Sequence, residues 1–591
     1  MMKPIARLVG VAEGRGPADF ALRGAMVFNS FTAEFAKCDV LVAGGYVAAV
    51  FASTDEVKYE AEHMIDAEGK WLVPGFVDAH VHIESSMLCP EEFCALAATC
   101  GVTTIIADPH EIANIFGVDG IRYMIEASEN ALARVFFMLP SCVPASPLED
   151  AAHTLLAKDL APLLNEPRVI GLGEMMNYPG VLGGAEDVFA KLGMVEEHNQ
   201  QQFYPFKGLL RDGHAPLVGG RDLQAYAAAG IASDHECTDS REVVERMAAG
   251  LAVLLREGSS AKNLLDLVGV ITPQTEHLCA LCTDDRHADD LLAEGSINNS
   301  VRKLVRDGRL DLATVLRLAS YNAARIYGLA RTGAIAPGFR ADFALYSDLE
   351  NWRPERVWLK GRVVAENGQP AGEVEHINAS RLKNSVRLGA GLSISDLQIE
   401  DKGKNVRVIE LVPHQIMTRK ASARLPSSNG LLLTDLEADI VKLAVLERHR
   451  GSGRRGLGFV KGMGIQCGAV ASTIAHDAHN LIVLGVNDED MWLAVNTLEN
   501  MGGGLVVCKN GEVLAKLALP LAGIFSERPV REVAEGSARI ARAVESLGLA
   551  KGHDPFMTLA FLSLEVIPSL KLIDKGLVDV DKFEFVDLYV D

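Results

Sequence analysis

Residues 71–87 read WLVPGFVDAHVHIESSM. An apolar run, WLVPGFV, is followed by polar residues at Asp78, His80, His82 and Glu84. On an extended chain successive side chains point to opposite faces, so His80 and His82 share one side. A single histidine in such a run reads as a satisfied core residue. Two in alternation, with Asp78 before and Glu84 after, point to a metal site at the end of a strand.

Downstream, short apolar runs rich in Val, Ile, Leu or Phe recur, such as GVTTIIAD (101–108) and RVIGLGE (168–174). Counting the first, they end near Asp78, Ala107, Pro140, Gly173, Asp212, Ser233, Arg256 and Cys282. Helical stretches such as EEFCALAATC (91–100) and LQAYAAAG (223–230) lie between them. Strands alternating with helices predict a parallel sheet. Eight such units over about 250 residues predict a (β/α)8 TIM-like barrel, with a doubly wound sheet of six or seven strands as the competing arrangement. On either side, 25–75 and 332–370 read as short strands with turn punctuation, and Gly44–Gly45 suits a two-residue hairpin turn. The economical reading is one small β-sandwich domain built from residues 1–74 and 332–375, interrupted by a barrel over 75–331. Residues 376–591 form a further α/β domain. NVRVIELV, GLGFVKGM, HNLIVLGV and GLVVCKNGEVLAKL are its predicted strands; DEDMWLAVNTLENM and VREVAEGSARIARAVESLG are its predicted helices.

Composition narrows the function classes. The 591 residues are 49% hydrophobic, enough for large cores, so disorder and small stapled folds are excluded. A net charge of −21 argues against nucleic acid or an anionic membrane as partner, since both want cationic patches. The N-terminus MMKPIARLVGVAEGRG has no long apolar core, and no apolar stretch approaches the ~18 residues of a membrane span. A cytoplasmic chain with reduced thiols is expected. Cys279 and Cys282, a lone C-x-x-C, read as small buried residues on a strand; HRGSGRRGLG (449–458) reads as a solvated loop.

The other strand ends repeat the pattern of the first. Strand two ends in Asp108, His110 and Glu111; strand four in Glu174; strand five in Asp212 and His214. Strand six ends in Asp234, His235 and Glu236, and strand eight in Asp284 and Asp285. Buried charges are costly unless paired or metal-bound, so core packing does not explain them. Imidazole and carboxylate donors without thiolate suit Zn, Mn or Fe. Four histidines and two carboxylates exceed the needs of one tetrahedral ion and favour two divalent ions bridged by a carboxylate and a hydroxide. Glu174 is the natural bridge, because its strand lies between the two histidine groups. The reaction class is metal-assisted hydrolysis.

These residues resemble the amidohydrolase superfamily, with its H-x-H on strand one. IIADPHEIANIFG, GEMMNYPGV, DGHAP, REGSSAKNL, LCTDDR and the C-terminal ASTIAHDAHNLIVLGVN are similar to the bacterial adenine deaminases, in the same order over most of the chain. The resemblance implies two metals, Mn2+ or Fe2+ with Zn2+ as a further option, and hydrolysis of adenine to hypoxanthine and ammonia. His80 and His82 would bind one metal with Asp284, Glu174 would bridge, and His214 and His235 would bind the second. Asp285 stands beside Asp284, and the sequence does not separate their roles. The implied chemistry is attack of the bridging hydroxide on C6 of adenine, with the strand-eight aspartate carrying the proton to the leaving amine.

The H-x-x-E of related mononuclear deaminases is missing from strand five, where Ala215, Pro216 and Leu217 follow His214. Glu236 is the first candidate to protonate the ring, with Glu84 and His110 behind it; each has orientation of a metal histidine as its bland alternative. His476-Asp477-Ala478-His479 reads as a lid over the substrate, an additional metal site or a polar turn. Adenine and water are the expected small-molecule partners, and a homo-oligomer, dimer or higher, is expected. A cyclic-amide hydrolase on the same site and a non-catalytic binding protein on the same fold are the competing functions.

Overall fold

The computed structural model describes residues 2–55, 57–202, 208–259, 261–413, 415–549 and 555–590. Eight parallel strands form its centre: β1 (Phe76–His82), β2 (Val102–Ala107), β3 (Arg134–Leu139), β4 (Val169–Met175), β5 (Leu210–Gly213), β6 (Ser233–Asp234), β7 (Ala252–Arg256) and β8 (Cys279–Cys282). β1 to β5 form one arc and β6 to β8 another. At one seam Asp284 and Asp285, just past β8, pair with Val81 and His82 of β1. Asp78 there accepts from the Thr283 amide at 3.0 Å and its hydroxyl at 2.6 Å. At the other seam the Ala232 amide donates to the Arg211 carbonyl at 2.9 Å. A doubly wound sheet would leave two free edges; here both ends find neighbours, and the strands close as a TIM-like barrel. Helices cover the outside, which is why β2, β7 and β8 are buried along their whole length. Cys279 and Cys282 are buried on β8 as unpaired thiols.

The flanks meet in one sheet. Trp71–Pro74 pairs antiparallel with Phe343–Tyr346, joining strands within 18–74 to strands within 343–370 in nine-stranded order. The sheet curls until the Phe20 and Trp358 rings lie 6.2 Å apart across its core. Gly44 and Gly45, at φ 59° and 81°, join Glu34–Ala43 to Tyr46–Ala52. A two-residue turn matching strand twist needs positive φ at both positions, which only glycine adopts without strain. A helix over Met2–Ala12, not anticipated from the sequence, precedes this sheet.

A second nine-stranded sheet occupies the C-terminal part and includes Asn405–Leu411, Arg455–Lys461, Leu481–Gly485, Gly504–Lys509 and Glu512–Ala518. The helices Asp488–Met501 and Val530–Glu545 appear where the sequence placed them. The glycine-rich loop is exposed at Arg450, Ser452 and Arg454, then passes into a strand at Arg455. Arg448, just before it, is fully buried; it donates to the His479 carbonyl and, at 3.0 Å, to that of Ala522. No described helix is long and apolar enough to cross a membrane.

The barrel loop after β3 is gripped by the C-terminal part. Lys575 pairs with Asp150 at 2.9 Å, Arg454 also pairs with Asp150, and the buried Ser146 hydroxyl donates to Glu565. Burial pushes the Glu565 carboxyl up to about 7, against an ordinary 4.5, and the nearby Asp477 and Asp574 charges add to the rise. Between those values the native chain holds a proton that the unfolded chain has lost, so this group's contribution to stability falls as pH rises from about 4.5 to 7. Glu565→Gln should therefore unfold at the wild-type temperature near pH 4.5. At pH 8 it should be more stable than wild type by about 1–3 kcal/mol, a gain of about 1–2 °C in Tm. Thermal unfolding at the two pH values measures this, and equal midpoints at pH 8 would contradict it.

Candidate metal centre

Every strand-end residue anticipated as a metal ligand converges on Glu174. The carboxylate stands at the end of β4, and its two oxygens face opposite ways. Oε1 lies 3.3 Å from His82 Nε2 and 3.4 Å from His110 Nδ1. Oε2 lies 2.8 Å from His214 Nδ1 and 3.2 Å from His235 Nε2. His80 and His82, on the same face of β1, bring their Nε2 atoms within 3.2 Å. Asp284 Oδ1 lies 3.4 and 3.2 Å from them. Four donors bound at about 2.0–2.2 Å around a tetrahedral ion are about 3.4 Å apart. The observed spacings match that edge, as the grouping of His80, His82 and Asp284 around one point and of His80, Glu174 and His235 around another also indicates.

Electrostatics agrees. Burial pushes His82 and His235 down, yet the carboxylates overcome it, taking His82 well above its ordinary value and His235 to about 9. Glu174 and Asp284 are buried too, but facing imidazoles hold both well below the carboxylate range. The site demands positive charge, which divalent cations meet with neutral imidazoles. The buried Nδ1 atoms of His80 and His235 have no partner in the protein. By contrast, His82 Nδ1 lies 3.0 Å from the Asp108 carbonyl, the kind of contact that fixes a metal-facing tautomer.

The adjacent aspartates part company. Asp284 sits at φ 56° and turns into the cluster, whereas Asp285 accepts from Ser85 and lines a neighbouring cavity. Asp284 Oδ2 accepts from Arg256 at 2.9 Å, and Arg256 also grips both oxygens of Glu236. Arg256 ends β7 and was visible in the sequence only as a strand end; a cation closing one barrel strand where six others carry acids or histidines was the available signal. Glu236 Oε1 lies 3.6 Å from His235 and 4.0 Å from His214. His110 stands between Glu174 and Glu111.

The cavity beside this cluster has a volume of about 360 Å3. Glu84, Ser85, Glu111 and Asp285 form its polar end, and Ile540, Val544, Phe556 and Ala560 its apolar wall. That wall comes from the C-terminal part, a contribution no local pattern announced. Glu84 is buried, its Oε2 has no partner, and burial raises it to about 7. His476 and His479 also line the cavity, and both face Glu111.

Residues 71–364 match the family model described as the amidohydrolase family, and residues 415–584 match that described as the adenine deaminase C-terminal domain. A protein named adenine deaminase 2 from Carboxydothermus hydrogenoformans is 48% identical over 585 residues, covering 99% of each chain. Proteins named adenine deaminase from Desulfatibacillum aliphaticivorans and Bacillus velezensis are 43% and 40% identical, again over 99% of each chain.

The geometry makes Gly173 a sensitive point. A Cβ there would stand 1.9 Å from Asp108 Oδ2, which accepts from the Glu174 amide at 2.9 Å. Gly173→Ala should displace Asp108 and misalign both Glu174 and His82. Metal affinity is expected to fall about 10–100-fold with the circular dichroism spectrum preserved. Metal titration of the stripped variant checks this; wild-type affinity would show that Asp108 does not hold the cluster.

Proposed function

The chain belongs to the adenine deaminase family of amidohydrolases, and on that premise we propose that its Glu174 cluster converts adenine and water to hypoxanthine and ammonia. The observation that carries this is the division of Glu174: one oxygen faces His82, the other His214 and His235. His80, His82 and Asp284 would hold one divalent ion, His214 and His235 a second, with Glu174 shared. Mn2+ or Fe2+ suits this nitrogen and oxygen donor set, and Zn2+ fits it as well. When bound, such ions make water acidic enough to act as a nucleophile at neutral pH.

The chain's own residues handle the protons. Asp284 accepts one from the attacking water and delivers it to the departing amine, while Arg256 on Oδ2 fixes the rotation of the carboxylate. A ring nitrogen must gain a proton as C6 becomes tetrahedral. Glu236 has both oxygens engaged by Arg256, and His110 lies between two carboxylates. Glu84 alone of the three candidates presents an unpartnered oxygen and lines the cavity. We therefore assign the ring proton to Glu84 and an orienting role to Glu236, reversing the order suggested by the sequence. A hydroxyl adds to C6 and the Glu84 proton to N1; the C6–amine bond then breaks, ammonia leaves with the proton that Asp284 took from the water, and the C6 hydroxyl proton returns to Glu84 as the carbonyl forms.

A cyclic-amide hydrolase would use the same barrel mouth. The full-length likeness to adenine deaminases, through the domain that walls the cavity, favours the purine. Ammonia release from adenine and adenosine, with ring opening of a hydantoin to its carbamoyl acid followed in parallel, tests the reading after loading with Mn2+ or Fe2+. Turnover of adenine is expected; turnover of the hydantoin alone would replace deamination by ring opening. Glu84→Gln should lower kcat by about 10²–10⁴-fold with metal content unchanged. A larger loss in Glu236→Gln than in Glu84→Gln would return the acid role to Glu236.

A further inference from the structure

A second cluster of metal-ligating groups lies where the C-terminal part meets the barrel. Glu111 opens the helix His110–Ala127 and meets the segment His476–His479. Glu111 Oε1 lies 2.9 Å from His476 Nδ1 and 3.4 Å from His110 Nε2. Asp477 Oδ1 lies 3.7 Å from His476 Nδ1. Donor atoms of His110, Glu111 and Asp477 fall within 4.8 Å of one another, and His110, Glu111, His476 and Asp477 are all buried. These separations bracket the edge of about 3.4 Å expected for donors around one tetrahedral ion, as do those around Glu174.

The surroundings prepare the same groups to receive a cation. The Ala475 amide donates to His479 Nδ1 at 3.2 Å, which places the proton of that ring on Nε2, turned to Glu111 Oε2. That hydrogen bond engages Oε2 and leaves Oε1 aimed at His110 and His476. The His476 ring lies against Phe561, centroids 4.9 Å apart and planes 21° apart, so Nδ1 is held toward Glu111. His110 Nδ1 turns toward Asp108 and Glu174, 3.7 and 3.4 Å away, which leaves Nε2 on the Glu111 side. Asp477 Oδ2 is buried and has no partner in the protein.

We propose that His110, Glu111, His476 and Asp477 form a third divalent-cation site, which staples the C-terminal part of the chain over the barrel mouth. Two imidazoles and two carboxylates without thiolate select a first-row ion such as Zn2+ or Mn2+. The site adjoins the Glu174 cluster through His110, whose Nδ1 lies 3.4 Å from Glu174, while Glu111, His476 and Asp477 are its own. Its function is docking: the bound ion holds the cavity wall of Ile540, Val544, Phe556 and Ala560 against the polar end at Glu84 and Glu111. Without an ion, Glu111 would be a carboxylate paired among three imidazoles, and the experiment separates these cases.

Full-length protein is dialysed to equilibrium against Mn2+, and in parallel against Zn2+, and ions per chain are counted by plasma mass spectrometry. Wild type should bind one ion more than His476→Asn. Asp477→Asn should weaken that ion alone by at least about tenfold. The midpoint of thermal unfolding should rise in wild type over the concentration range in which the extra ion binds, and this increment should vanish in His476→Asn. Equal ion counts in wild type and both variants would overturn the proposal. So would loss of every ion on substituting His476, which would make the segment part of the Glu174 cluster. Should His476→Asn fail to fold, Asp477→Asn decides, and unchanged affinity there would overturn the site.

Discussion

Charge density around one buried carboxylate governs this molecule. Glu174 is shared by His82, His110, His214 and His235, and Asp284 stands behind His80 and His82. Paired charges out of water repay their desolvation only when geometry is close to ideal. The barrel supplies that geometry through buried polar groups of its own. Asp108 holds the Glu174 amide with its side chain and meets His82 with its carbonyl, so the end of β2 aligns β1 and β4 together. Asp78 closes the β8–β1 seam through Thr283. Asp212 accepts from Ser233 at 2.7 Å and from Tyr327 at 2.8 Å near the other. These aspartates, which at first sight look like further ligands, are the frame on which the candidate ligands stand.

The cavity at the barrel mouth belongs to more than the barrel. Its polar end comes from loops after β1, β2 and β8, and its apolar wall from the helices Val530–Glu545 and Pro555–Phe561. A flat, neutral purine suits such an amphiphilic slot, with N–H groups for the carboxylates and ring faces for the aliphatic wall. The excess of acidic residues is then consistent with a substrate that needs no attraction at a distance. A good part of that acid is spent locally, in pairs such as Lys575 with Asp150 that hold the parts of the chain together.

Much of this was legible in the sequence because the informative signals are local. A strand of period two showed His80 and His82 on one face, and Gly44–Gly45 announced their turn. The eight apolar runs fall on the eight barrel strands. What sequence could not show depends on contacts between distant residues. Glu111 and His479 are 368 positions apart, and nothing near either one names the other. Arg256 grips Glu236 and Asp284 because β7 lies between β6 and β8, which is knowledge of the closed barrel. Asp284 and Asp285 could not be told apart because their difference lies in a backbone turn to φ 56°. The proposed preference for Glu84 over Glu236 has the same origin: proximity of Glu236 to His235 was visible, its engagement by Arg256 was not.

The pairing of Trp71–Pro74 with Phe343–Tyr346 has a consequence for how the chain is born. The strands of residues 18–74 leave the ribosome well before their partner strands are made, since 268 residues separate Pro74 from Phe343. At about 5–20 residues per second that interval lasts roughly 15–50 s. During it, Trp71–Pro74 presents an unpaired edge, the kind of surface on which nascent chains associate wrongly. The whole barrel must emerge before that edge is covered. Translation speed and chaperone supply over this interval, more than the stability of the finished sheet, would then set the yield of native protein.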